Sequence, residues 1–80
     1  MPKIILKQGA QQSIPLLGNK ILRVNIHSHE TLDNISIALR TIQGIVDAEN
    51  YSIGKHIIPI SKYDIVEFVG ENIIIDYELE

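Results

Sequence analysis

The predicted fold depends most on residues 28–44, which read SHETLDNISIALRTIQG. Aliphatic side chains recur here at the spacing of one helical face, and the stripe continues just beyond the segment. Its members are Leu32, Ile35, Leu39, Ile42 and Val46. Ser28 suits the N-cap position, and Gly44 suits the left-handed residue that ends a helix. The sequence therefore predicts an amphipathic helix over about residues 29–43.

Several segments around this helix alternate between apolar and polar residues, which is the pattern of half-buried strands. Strands are predicted in this way over residues 20–27, 45–53 and 72–79, and two further short strands are predicted over residues 3–7 and 56–60. Residues 8–19 are predicted to form a loop, because they are polar at first and Pro15 interrupts the apolar part.

Residues 61–70 allow two predictions. Ser61 and Asp64 resemble a capping arrangement, and Gly70 could end a short helix. The alternative is a strand over 63–69 with a hairpin tip at Gly70 and Glu71. We favour the helix and keep the strand as the alternative.

The predicted fold class is α+β, with a mostly antiparallel sheet covered by one main helix in two layers. If residues 61–70 are helical, residues 20–79 follow the ferredoxin-like order β-α-β-β-α-β, with the strand at 3–7 added at the N-terminus. If they form a strand, one helix packs on a sheet of four or five strands. The 80 residues are predicted to form a single domain, 1–80.

The run that begins at Leu32 and ends with Ile42–Glu49 resembles the passage from helix to second strand in heavy-metal-associated domains and in ACT regulatory domains, which share an apolar helix stripe followed by Gly and an aliphatic residue. The metal domains carry two cysteines before that helix, and this chain has none. The ACT families place a glycine near the helix start, where this chain has residues 28–31, Ser-His-Glu-Thr. The likeness is short and identifies no family.

Composition and charge exclude several classes of function. The net charge is −3 and the seven basic residues are scattered, which disfavours direct binding of nucleic acid. No apolar run approaches the roughly 20 residues that span a bilayer, and we expect no membrane partner. The N-terminus lacks the apolar core of a signal peptide, so the expected location is the cytoplasm. With no cysteine, the chain forms no disulfide or thiolate site.

Three histidines are the candidates for a metal site. His27 and His29 are two residues apart, so both face one side if strand geometry continues through them. His56 could add a third imidazole, and Glu30 or Asp33 an oxygen ligand. The opposing interpretation is that His27 and His29 are solvated, and no cofactor is predicted.

The sequence predicts no catalytic site and no enzyme. Ser28 stands between two histidines, but neighbours in sequence rarely form a nucleophile–base pair, and a helix cap explains the serine. Asp47 and Glu49 are the candidate pair of carboxylates for acid–base catalysis, and both are expected to be solvated on one strand face.

What remains is a surface for a partner. Runs such as Ile57-Ile58 and Ile73–Ile75 carry isoleucine on both faces of a strand, and a small two-layer domain covers only one of them. The residues predicted to make interactions are Ile57, Ile58, Ile74 and Tyr51.

The favoured function is accordingly an interaction or assembly module that forms homo-oligomers or docks on a larger protein. Such a module would serve as an adaptor, an assembly subunit, an inhibitor or an accessory protein of a phage or plasmid. Two alternatives stay open. One is a regulatory domain that binds a small molecule at a dimer interface, and the other is a small histidine-based metal-binding protein.

Overall fold

The structure is a computed structural model that describes residues 3–6, 10–28, 35–70 and 73–80. Every regular element in these residues is a β-strand. The strands are β1 (Lys3–Leu6), β2 (Ala10–Pro15), β3 (Ile21–Ser28), β4 (Ile35–Arg40), β5 (Val46–Tyr51), β6 (Gly54–Pro59), β7 (Ile65–Gly70) and β8 (Ile73–Leu79). The fold is therefore all-β, and the predicted α+β class is wrong.

The eight strands form two four-stranded antiparallel sheets. One sheet has the order β1-β8-β3-β6 and the other has the order β2-β7-β4-β5. Strands pair in a nested series, because β1, β2, β3 and β4 pair with β8, β7, β6 and β5. A long antiparallel ribbon wrapped into two sheets in this way has the connectivity of a jelly roll.

The predicted helix over 29–43 is replaced by β4 and the turn after it, while residues 29–34 lie outside the described part of the chain. Ile35, Ile37 and Leu39 alternate at the period of a strand, and all three are buried. Ile42 belonged to the supposed helical stripe and is 81% exposed. The helical pattern arose because Ile35 and Leu39 fit both periods, and the β-branched isoleucines favour the strand.

Two further predictions of local structure are wrong. The favoured helix in 61–70 is β7, as the strand alternative proposed, and Val66 and Phe68 point into the core. The predicted loop over 8–19 contains β2, whose polar residues lie at the edge of its sheet. Pro15 is the last residue of this edge strand, where its missing N–H costs no ladder hydrogen bond. The strands predicted near 3–7, 20–27, 45–53, 56–60 and 72–79 are confirmed.

The core lies between the two sheets and is dominated by isoleucine. Leu22, Val24 and Ile26 of β3 point inward, and Phe68 of β7 is fully buried among residues from both sheets. Stiff, β-branched side chains fill a thin layer between pleated surfaces well. No helix in the described residues is long and apolar enough to cross a membrane.

Three loops are tied together at one end of the sandwich by Asp64. Its carboxylate accepts a hydrogen bond from the Ile42 N–H at 2.8 Å. Its backbone carbonyl accepts from the Leu16 N–H at 2.9 Å, and its own N–H donates to the Arg40 carbonyl at 2.7 Å. The connections β2–β3, β4–β5 and β6–β7 thereby share one residue, which fixes this end of the fold.

Candidate functional site

A cleft of about 330 Å³ opens where the two sheets meet along β5 and β6. These are edge strands of different sheets, and residues 52 and 53 join them. The cleft combines an aliphatic floor with a polar, aromatic rim. It is lined by Ile37, Leu39, Asp47, Ala48, Glu49, Tyr51, Ile58, Pro59 and Tyr63.

The register of β5 places its acidic residues on the cleft side. Asp47 pairs with Leu39, and Glu49 pairs with Ile37. Residues paired across neighbouring strands share one face of a sheet, so these carboxylates lie on the same face as two core residues. Because β5 is an edge strand, the carboxylates reach the opening of the sandwich and stay exposed.

Two tyrosines hold these carboxylates. The Tyr63 hydroxyl donates to Asp47, and the Tyr51 hydroxyl donates to Glu49 at 3.3 Å. The hydrogen bond to Asp47 is the main cause of a raised pKa of Tyr63. Partial burial, followed by the charge of Glu49, raises the pKa of Tyr51. Both phenols therefore remain protonated at neutral pH and act as donors.

Tyr51 is further fixed by an edge-to-face contact with His56, with ring centroids 5.0 Å apart. The Nε2 atom of His56 lies 2.8 Å from the carbonyl oxygen of Ser52. A carbonyl only accepts hydrogen bonds, so this nitrogen carries the proton and donates. The turn between β5 and β6 thereby holds the aromatic wall of the cleft.

Among the described residues, no basic side chain pairs with the carboxylates of the cleft. The ion pairs in this part of the chain are Arg23–Glu80 and Arg40–Glu67, and His27 contacts Asp76; all three contacts lie outside the cleft. Within that part of the chain, Asp47 and Glu49 therefore accept hydrogen bonds from phenols but have no basic partner. Two carboxylates above an apolar floor form a site that suits a cationic group with an aliphatic stem.

Of the candidate metal ligands, the structure describes His27 and His56, and it does not bring these two together. His27 is exposed on the outer face of β3, where its Nε2 lies 3.1 Å from Asp76. His56 pairs with Val24, a core residue, so its side chain lies on the opposite face of the sheet from His27. No group of three metal-ligating side chains occurs among the described residues. His29 lies outside them, so a site built on His27 and His29 stays a prediction.

The four predicted interaction residues occupy different surfaces. Ile58 is 3% exposed and belongs to the core, whereas Ile57 is 63% exposed on the outer face of β6. Ile74 lies on the outer face of β8, opposite Ile5 and His27. Tyr51 lines the cleft, with Ile58 in its floor. Only Tyr51 and Ile58 therefore come together at one site.

Sequence reasoning missed Tyr63 and took Asp47 and Glu49 as a solvated strand face. The available signal was the alternation in β5, which places Asp47, Glu49 and Tyr51 on one side. Tyr63 lies in a loop, and nothing in the sequence pairs it with a residue 16 positions away.

No protein-family model, curated protein or solved structure matches this chain. Because one fold supports many functions, the jelly-roll connectivity assigns none by itself.

Proposed function

We propose that this protein is a non-enzymatic interaction module whose docking surface is the open edge formed by β5 and β6. The observation that carries the proposal is the cleft, where Asp47 and Glu49 have no basic partner among the described residues. Tyrosines around an aliphatic floor, with polar groups at the rim, match the usual anatomy of a protein interface.

The edges on either side of the cleft support a protein as the partner. Among the described strands, β5 and β6 each pair on one side only, and an edge strand presents unpaired backbone donors and acceptors to another chain. The exposed Ile57 adds apolar surface on the outer face of β6, one of the two strands of this edge. The partner is a larger protein or a second copy, and the module acts as an adaptor, assembly subunit or inhibitor. A phage or plasmid accessory role belongs to the same proposal.

Cross-linking from two matched positions tests this function. Asn50 on β5 and Gln11 on β2 are exposed residues of the same row, at opposite edges of one sheet. A photo-reactive amino acid is placed at one position or the other in cells that make the protein. We expect a defined cross-linked protein, or a cross-linked dimer, from Asn50 and none from Gln11. Equal products from both positions, or none from either, would contradict a docking surface at this edge.

The cleft volume supports a second candidate, the binding of a small organic cation. About 330 Å³ is at the lower end of the range for small-molecule pockets. A ligand that binds only the folded chain raises its melting temperature by mass action. Choline and arginine amide are suitable probes, with a neutral amide as control. A melting temperature that responds to neither cation would remove this candidate.

The cytoplasm remains the proposed location, and no membrane or nucleic-acid partner belongs to the proposal. The acidic cleft supports the exclusion of nucleic acid, because carboxylates repel a phosphate backbone. Subcellular fractionation tests the location, and recovery of the protein in an exported fraction would overturn it.

A further inference from the structure

The hydrogen-bond pattern of β5 shows which backbone groups face away from its sheet. The Thr41 N–H donates to the Ile45 carbonyl at 3.0 Å where β4 and β5 meet. Bonded pairs alternate along an antiparallel ladder, so Asp47 and Glu49 also bond to β4. The N–H and C=O groups of Val46, Ala48 and Asn50 therefore point outward, and no described strand pairs with them.

A strand added along this edge would meet two different surfaces. Its residues opposite Val46, Ala48 and Asn50 would lie on the outer face of the sheet, where Ala48 is small. Its residues opposite Asp47 and Glu49 would lie on the cleft side, and these positions are two apart in the added strand. Opposite charges across neighbouring strands attract, so basic side chains suit both cleft positions.

The same carboxylates discriminate among occupants. In an antiparallel pairing of β5 with the β5 of a second copy, Asp47 and Glu49 of one chain would face those of the other. Like charges opposite each other destabilise a sheet, and inward-pointing charges on an edge strand are a known protection against such pairing. Neutral or acidic strands gain nothing in the cleft, whereas a basic strand neutralises it.

We propose that β5 receives an extended basic segment of a partner protein as an added strand, with two Lys or Arg side chains two residues apart in the cleft. The aliphatic stems of these residues would enter the cleft, where Tyr51 and Ile58 lie, and their charges would reach Asp47 and Glu49. This mode of recognition takes affinity from main-chain hydrogen bonds and specificity from alternate side chains. The inference rests on the proposed function and names the class of partner.

Three peptides test the inference by calorimetry and by NMR on the isotope-labelled chain. The first is acetyl-Val-Arg-Val-Arg-Val-amide, the second has both arginines replaced by glutamate, and the third is acetyl-Val-Val-Arg-Arg-Val-amide. We expect the first to bind and to shift the amide signals of β5. The glutamate peptide is expected not to bind, and the peptide with adjacent arginines to bind more weakly.

Variants of the chain assign the binding to the cleft. Asp47→Asn and Glu49→Gln should each weaken the alternating peptide by about two- to fivefold. Glu78→Gln makes the same change of charge on the outer face of the other sheet and should leave binding unchanged. The NMR spectrum of each variant shows whether it folds. If Asp47→Asn does not fold, the peptide affinity of Glu49→Gln tests whether the cleft binds the peptide.

Several results would overturn the inference. They are no binding by the alternating peptide, equal binding by the peptide with adjacent arginines, and equal effects of Glu78→Gln and Glu49→Gln. Binding of arginine amide as tight as that of the peptide would replace the added strand by a site for a single cation. A protein cross-linked at Asn50 alongside failure of the peptides would leave the docking surface in place and reject only this class of partner.

Discussion

The Tyr63 phenol donates a hydrogen bond to the Asp47 carboxylate, and this contact joins the loop before β7 to the edge strand β5. Tyr63 lies in the connection between β6 of one sheet and β7 of the other, and it lines the cleft together with Asp47. It gives the cleft a fixed wall, and it holds the carboxylate that we assign to a basic partner. The first prediction tests this contact.

The pKa of Tyr63 is raised above the ordinary value of 10.0, chiefly by the hydrogen bond to Asp47. A raised pKa in the folded chain means that the contact stabilises the fold fully below about pH 10 and is lost as the pH rises through the raised pKa. We expect Tyr63→Phe to have a lower melting temperature than the wild type at pH 7. The difference should disappear in strongly alkaline solution.

Tyrosinate absorbance provides the direct measurement for the same contact. In Asp47→Asn, the Tyr63 phenol should ionise at a lower pH than in the wild type, because the charged acceptor is gone. If Tyr63 ionises at the same pH in both chains, the hydrogen bond does not hold the phenol.

A second prediction concerns the turn between β2 and β3. Leu17 has a φ of 54° and Gly18 a φ of 78°, and the Asn19 N–H donates to the Leu16 carbonyl at 3.0 Å. Two positive φ values are typical of a type I′ turn, which favours Asn before Gly. Leu17 is 81% exposed, so little packing is lost by replacing it. Leu17→Asn should stabilise the fold by about 1 kcal/mol in urea unfolding.

Leu17→Ala is the matched control, because alanine keeps the Cβ penalty of a left-handed backbone. It should give no comparable gain. Equal stability of the asparagine and alanine variants would show that backbone strain at residue 17 is not the cause.

A third prediction concerns Asp64, which ties three loops together at one end of the sandwich. Asp64→Ala removes the acceptor of the Ile42 N–H and should cost about 1 kcal/mol of unfolding free energy. Asp64→Asn keeps a carbonyl oxygen there and should cost less. Urea unfolding of both variants measures the difference, and an alanine variant as stable as the wild type would show that the side chain does not tie the loops.

A fourth prediction separates two neighbouring isoleucines. Ile57→Lys should change the unfolding free energy by no more than about 0.5 kcal/mol, because the side chain is on the exposed face of β6. Ile58→Lys places a charge between the sheets and should abolish folding, as seen by circular dichroism. Similar behaviour of the two variants would contradict a β6 in which Ile57 faces solvent and Ile58 faces the core.

The fold is predictable where apolar and polar residues alternate cleanly and the same residues do not also fit the spacing of a helix. The sequence predicts β3 because Leu22, Val24 and Ile26 alternate with polar residues, and β8 because Ile73, Ile75 and Tyr77 recur at every second position before the acidic end. β4 was missed because Ile35 and Leu39 fit both a helix and a strand, and the decisive facts are the burial of Ile37 and the exposure of Ile42.

The missed edge strand β2 shows a different limit. Its Gln11, Gln12 and Ser13 carry little hydrophobic signal, because an edge strand with one solvated face needs few apolar residues. The site was less predictable than the fold. The sequence predicts Tyr51 as an interaction residue, but its place in one cleft with Tyr63 depends on the pairing of strands distant in sequence, which single-strand patterns do not contain.

The most direct test of the account is amide hydrogen exchange at Ala48, measured with and without the alternating arginine peptide. Its N–H group points away from β4, so it should exchange readily in the free chain and slow markedly when a strand is added. Ala38, in the interior of the same sheet, serves as the reference and should change little. Slower exchange at Ala48 would support docking on β5, and unchanged exchange at Ala48 with peptide bound would contradict it.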